Sequence, residues 1–248
     1  MKKFKGKWLL CAAVLSAVLS GAVAFAAADL FSGGTKEYSR TNAADGDRIF
    51  GGALDAKVKS GTKVTVSGSL SPSMIFGGGF SSGAGALDSS VIGGTEIVFN
   101  SSAQIKESAG GSFSAVFGGG TEEADNAVSD VNGDTRITFN KGGVYGYGSS
   151  CRALIAGGGR PVSGSSVKVT GSTYIELNDC VIQAVTVSND SGKEIEGFIF
   201  GGGAGGDSYY GAYDFTIGGS TNITINGGLN AKMVNMSIYG GACLFDGL

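Results

Sequence analysis

Two short motifs alternate along this chain, and their regularity limits the folds open to it more than any other feature. The first is an apolar pair running into glycines: Ile49-Phe50-Gly51-Gly52, Ile75-Phe76-Gly77-Gly78-Gly79, Val116-Phe117-Gly118-Gly119-Gly120, Ile155-Ala156-Gly157-Gly158-Gly159, Ile199-Phe200-Gly201-Gly202-Gly203 and Ile238-Tyr239-Gly240-Gly241. The second residues of these copies, Phe50, Phe76, Phe117, Ala156, Phe200 and Tyr239, are separated by one short step and then by nearly equal longer ones. The second motif has the form Gly-x-Thr-x-Ile-x-apolar-Asn. It runs from Gly93 to Asn100, Gly133 to Asn140, Gly171 to Asn178 and Gly219 to Asn226, with a divergent copy from Ser60 to Ser67. A period of about 40 residues therefore covers 49–242, and self-similarity at such a step marks a fold assembled from repeating units.

Each copy of the second motif alternates polar and apolar residues, as in Thr95-Glu96-Ile97-Val98-Phe99 and Thr221-Asn222-Ile223-Thr224-Ile225. Period two with β-branched residues predicts short strands with one buried face, and no stretch beyond Ala28 carries a convincing helical period. The expected fold is all-β, a parallel β-helix (β-solenoid) with repeats of about 40 residues. Glycines belong at its corners, where the backbone takes positive φ or passes close to its neighbour. The aligned Asn100, Asn140, Asn178 and Asn226 are expected to form a ladder, each accepting a left-handed corner and hydrogen-bonding to the next level. Each period reads as two short levels of about 20 residues, since strands of both motifs then stack at equal steps.

Composition fits this reading. Glycine supplies 46 of the 248 residues, far above the roughly 7% of an average protein. With 42% apolar residues there is material for a core, and two prolines and 16% charged residues argue against a disordered chain. Histidine is absent, which removes Ser-His-Asp and Cys-His relays and His-based zinc, copper and iron sites.

Residues 1–28 stand apart. Lys2, Lys3, Lys5 and Lys7 precede an uncharged, largely apolar run from Trp8 to Ala28, the pattern of a secretory signal peptide with A-x-A cleavage options ending at Ala26 or Ala28; an uncleaved membrane anchor is the rival reading, since a run of this length could just span a bilayer. A mature chain starting near Ala27 or Asp29 loses four lysines and no acid, taking the formal charge from −3 to −7. That balance disfavours nucleic acid as a partner, and contact with a membrane is expected only through the signal segment during export. Three cysteines remain, Cys151, Cys180 and Cys243; an odd number allows at most one internal disulfide with one thiol left over, and the favoured reading is of small core residues without a structural bond. The organisation expected is a signal peptide at 1–28, an N-terminal lead-in or cap at 29–48 and a β-helix repeat domain at 49–248.

The alternation of IFGGG with GGTEIVFN, GDTRITFN and GSTNITIN resembles the glycine-rich repeats of bacterial autotransporter passengers and adhesin-like surface proteins. The resemblance covers nearly all of the mature chain and implies a parallel β-helix. No membrane-spanning barrel follows the repeats before Leu248, so the chain reads as a short stand-alone member or a fragment of a longer passenger.

Parallel β-helices of known families also house polysaccharide lyases and hydrolases, which use clustered carboxylates. The acids considered are Asp45 and Asp47, and Asp130 and Asp134 in D-V-N-G-D. The second pair departs from a calcium loop in its glycine position and lacks a downstream bidentate Glu. Asp134 aligns with Gly94, Ser172 and Ser220, so a turn is its expected role. Glu122, Glu123 and Asp125 read as a solvated loop. No catalytic residue, metal site or cofactor is expected, and the glycine runs lack the helix that would make them phosphate cradles.

The copies differ most after the GGG motif, at Phe80–Ser90, Thr121–Ser129, Arg160–Ser166 and Ala204–Asp214, and such insertions are where repeat proteins place binding surfaces. The last carries Tyr209, Tyr210 and Tyr213 among small residues, a composition suited to stacking on a ligand. Tyr145 and Tyr147, in G-V-Y-G-Y-G, are read as packing residues. The expected function is that of an exported, non-enzymatic bacterial surface protein, cell-surface, extracellular or periplasmic, adhesin-like or structural. Its partners would be a host or bacterial surface glycan or protein, or its own solenoid end through self-association. A glycan lyase or hydrolase is the alternative.

Overall fold

The structure, a computed structural model, describes residues 27–83, 87–100, 102–106, 113–123, 127–147, 152–161, 166–185, 197–205, 214–228, 231–234 and 236–244. Except for Ala27 and Ala28, the expected signal peptide lies outside them. The described chain is all-β and free of helix, and every paired strand runs parallel to its neighbour.

The apolar-pair motifs build a seven-stranded sheet from Asp29–Phe31, Arg48–Phe50, Met74–Phe76, Phe113–Phe117, Arg152–Ala156, Gly197–Phe200 and Met236–Tyr239. The Thr-x-Ile motifs build a six-stranded sheet from Thr35–Tyr38, Thr62–Val66, Thr95–Phe99, Thr135–Phe139, Thr173–Leu177 and Thr221–Ile225. Register follows the sequence alignment residue by residue: Ile137 faces Ile97 on one side and Ile175 on the other, and Val116 lies between Ile75 and Ile155. Two two-stranded sheets, Phe80–Ser81 with Thr121–Glu122 and Ala204–Gly205 with Cys243–Leu244, and two four-stranded ones make up the rest. Val91–Ile92, Val131–Asn132, Ser166–Val169 and Asp214–Ile217 form the one that precedes the six-stranded sheet in the chain. Gln104–Lys106, Gly143–Tyr147, Val181–Val185 and Lys232–Val234 form the one that follows it.

The expectation of two short levels per period is overturned. Strands of the two motifs sit in different sheets, and each pairs with its own counterpart a full period away. The physical reason is that each motif makes a ladder that only its own kind continues. Phe31, Phe50, Phe76 and Phe117 stack with ring centroids 4.9, 5.0 and 4.9 Å apart, while Phe99 stacks on Phe139 at 4.0 Å.

The inner strands of the seven-stranded sheet are buried on both faces, which is why its motif is an apolar pair and not an alternation. Ile49, Ile75, Val116, Ile155 and Ile199 enter a core shared with Val64, Ile97, Ile137 and Ile175 of the six-stranded sheet and with Ile105, Val144 and Ile182. Phe50, Phe76, Phe117, Ala156 and Phe200 face a second core, closed by Phe80 and Ala204. Burying each of these large side chains contributes about 1.5–3 kcal/mol.

Residues 29–48, expected as a lead-in or cap, supply the first strands of both large sheets. Leu30 and Phe31 pair with Ile49 and Phe50, and Thr35 pairs with Lys63. The intervening loop is tied down by Asp47, whose buried carboxylate accepts the Ala28 N–H at 2.9 Å and the Ala44 N–H at 2.7 Å.

The GGG motif needs glycine for close approach. Its glycines show no positive φ; a Cβ on Gly118 would strike the Gly157 carbonyl and come within 2.9 Å of the Thr135 hydroxyl oxygen. Positive φ occurs instead before the Thr strands, at Gly93 (φ 104) and Gly94 (φ 89).

Candidate functional site

The carboxylates considered for chemistry are engaged in holding backbone. Asp45 accepts the Ser71 N–H at 2.8 Å and pairs with Arg40 at 2.6 Å. Asp130 accepts the Lys168 N–H at 2.9 Å, and burial pushes its carboxyl above the usual range. Asp134 accepts the Ser172 N–H, one period on, at 2.8 Å. The acidic loop is corrected in part: Glu122 is fully buried, its carboxylate accepting the Ser129 N–H at 2.9 Å. It sits on a short strand in register with Ser81. Glu123 is exposed and lies 3.7 Å from Arg48, and Asp125 lies outside the described residues.

The four aligned asparagines stand in one exposed row. The Asn140 amide donates to the Asn100 side-chain oxygen at 2.9 Å, Asn178 to Asn140 at 3.1 Å, and Asn226 to Asn178 at 2.8 Å. Their backbones are not left-handed, contrary to expectation: among the described residues the single non-glycine with positive φ is Asp55. The row follows from side-chain length and strand spacing, since an amide one period away on an in-register parallel strand lies within hydrogen-bond reach.

Tyr209, Tyr210 and Tyr213 lie outside the described residues, as do Cys151 and the tips of the insertions. The described bases of those insertions are buried: Phe80, Ser81, Ser89, Thr121, Ser129 and Ala204 pack inward. Cys180 is a buried free thiol, held up to a pKa of about 11 by burial and by the neighbouring Asp179 charge.

Two grooves interrupt the outer surface. At the corner before the six-stranded sheet, Asp134 and Ser172 each cap the backbone N–H one period on. The corresponding Gly61 and Gly94 have no side chain to do so. A groove of about 470 Å³ opens there, rimmed by Lys63, Glu96 and Arg136. Lys63 pairs with Glu96 at 3.0 Å, and the Arg136 guanidinium lies 4.4 Å from the Tyr174 ring centroid. No protein-family model, curated protein or solved structure matches this chain.

The second groove, about 250 Å³, lies just past the asparagine row and is lined by Ser102, Gln104, Lys141, Gly142, Tyr145, Asp179 and Val181. None of these was expected to form a site. The readable signal was the Gly142-Gly143 doublet, which replaces side-chain-bearing positions of the neighbouring copies.

Proposed function

We propose that this chain is an exported bacterial β-solenoid that acts at the cell surface as an adhesin-like or structural protein, without catalysis of its own. The observation that carries the reading is the in-register pairing of every strand with its counterpart one period away. That pairing repeats one outer surface along a rigid stack, as a display scaffold requires. A solenoid reading also accounts for the shared order of strands within each period. The charged first segment and apolar run of residues 1–28 support export.

Binding is assigned to the insertions after the GGG motifs, Tyr209, Tyr210 and Tyr213 among them. Self-association is assigned to the end bearing Ile225, Met233, Ile238 and Tyr239, which are 36–49% exposed. The backbone bonds of Asp45, Asp47, Asp130 and Asp134 favour this reading over a glycan lyase or hydrolase.

The test is localisation by cell fractionation together with assay of the purified chain from Asp29. It should partition to the exported fraction and bind a surface glycan or protein with loss on Tyr209→Ala or Tyr210→Ala. Retention in the cytoplasm, or glycan turnover abolished by replacing Asp130 and Asp134, would overturn it.

A further inference from the structure

We propose that the groove beside Tyr145 is a binding site for a neutral saccharide. It lies at a different corner of the period from the insertions and goes beyond the corner-loop reading given above.

Gly143 is in register with Gln104 on one neighbouring strand and with Val181 on the other. It carries no side chain because a Cβ there would strike the Val181 carbonyl, and this close backbone approach leaves a gap in the outward row between the Gln104 and Val181 side chains. Gly142, at φ 89, extends the gap toward the corner. The Tyr145 ring fills part of it: one ring-edge carbon lies 2.9 Å from the point where a Gly143 Cβ would sit. The ring therefore leans back across the glycine and forms a wall of the groove, half-buried.

What surrounds that ring selects the ligand. The lining includes the Gln104 amide, the Lys141 ammonium group, the Asp179 carboxylate and the Ser102 hydroxyl, which donates to the Gly68 carbonyl at 3.3 Å and keeps its oxygen as an acceptor. Within the lining the two charges offset each other, and Lys106 in the next outward row adds one cation, so an anionic probe is the arm that tests for phosphate or sulfate binding. Donors and acceptors flank an aromatic wall next to the apolar Val181. A sugar ring presents this same combination, a C–H face for the aromatic and apolar walls and hydroxyls at its edge that both donate and accept. In the next outward row, Lys106 and Gln183 flank Tyr145 in register, extending the polar surface along the stack at the strand spacing of about 4.8 Å.

Rigidity favours the same assignment. Lys141 and Asp179 directly follow Asn140 and Asn178, whose amides are locked in the exposed row, and Gln104 and Tyr145 are on paired strands. A site mounted on fixed elements loses little conformational entropy on binding, which matters for weakly held sugars.

The purified chain from Asp29 would be titrated calorimetrically with cellotetraose, chitotetraose, mannotetraose and a galactotetraose, with a heparin tetrasaccharide as the anionic control. At least one neutral tetrasaccharide should bind and the heparin fragment should not. Tyr145→Ala and Gln104→Ala should each raise Kd by about tenfold or more, with thermal midpoints recorded to show that both variants fold. Should Tyr145→Ala unfold, the partly exposed Gln104 and Lys141→Ala decide the outcome. Failure of all four neutral probes, preference for the heparin fragment, or affinity unchanged in the folded variants would overturn the proposal. Binding lost on Tyr209→Ala but kept in Tyr145→Ala would overturn it while leaving the corner-loop reading standing.

Discussion

The Thr135 hydroxyl donates to the Gly157 carbonyl at 2.5 Å, joining a Thr-x-Ile strand to the glycine motif of the following period. The same bond recurs from Thr62 to Gly77, Thr95 to Gly118, Thr173 to Gly201 and Thr221 to Gly240, at 2.5–2.7 Å. The two motifs thus need each other: glycine brings its carbonyl close, and the buried threonine satisfies it. Replacing Thr135 by the isosteric Val should leave that buried carbonyl without this donor and cost about 1–3 kcal/mol. Thr221→Val, at a half-buried position, should cost less. Urea unfolding of both variants checks the order.

Gly118 is the first glycine of its motif and Gly241 the second of the last copy, and their surroundings differ. A Cβ on Gly118 meets the Gly157 carbonyl and Thr135, whereas nothing lies within 4 Å of one on Gly241. Gly118→Ala should destabilise by about 1–3 kcal/mol or more, and Gly241→Ala should be neutral or slightly stabilising. Equal thermal midpoints for the two variants would show that close approach is not what the motif requires.

Asn140 both donates and accepts within the exposed amide row, to Asn100 and from Asn178. Asn140→Ala removes both bonds, and at about 0.5–1.5 kcal/mol for each the summed loss should stay near or below about 2 kcal/mol, since water replaces part of it. Hydrogen exchange should quicken at residues 100 and 178 if the row stiffens the corner.

Asp130 has its carboxyl raised by burial, so the folded state favours its protonated form relative to the unfolded chain. The sign follows directly: the associated stability is full at pH below the ordinary value of 3.8 and is lost as pH rises through the raised value. Asp130→Asn keeps the oxygen that accepts the Lys168 N–H and cannot ionise. Its stability relative to the native chain should therefore improve between pH 3 and pH 6, as measured by denaturant midpoints across that range.

Cys180 offers a second titration. Its thiol is raised from 9.0 to about 11 in the fold. Above pH 9 the unfolded chain releases this proton before the folded one does, so stability should fall as pH climbs from 9 to 11. Cys180→Ala should flatten that part of the profile. At neutral pH the buried thiol should react with iodoacetamide only as fast as the chain opens.

The repeat, its period and the strands of the Thr-x-Ile motif were legible from residue patterns, because period-two alternation reports directly on which side chains are buried. The asparagine row was legible too, since in-register stacking brings identical residues together. Other features were not. Leu30-Phe31 takes the place of the apolar pair, pairing with Ile49 and Phe50, while the strand from Thr35 joins the other large sheet one residue out of step with the motif threonines, Thr35 pairing with Lys63, so neither stood out as a repeat. The number of levels per period depended on which strand pairs with which, and a one-dimensional pattern cannot choose between partners half a period and a full period away.

Local alternation and spacing were enough to make the chain all-β and to set the period on which it is built, because both report burial along a single strand. Packing in three dimensions added that the Ile-Phe pairs separate two cores, that the GGG motif serves close approach and not left-handed turns, and that a groove opens at Gly142-Gly143. Each of these depends on what the next period places against a residue, which is a matter of contact in space and not of position along the chain.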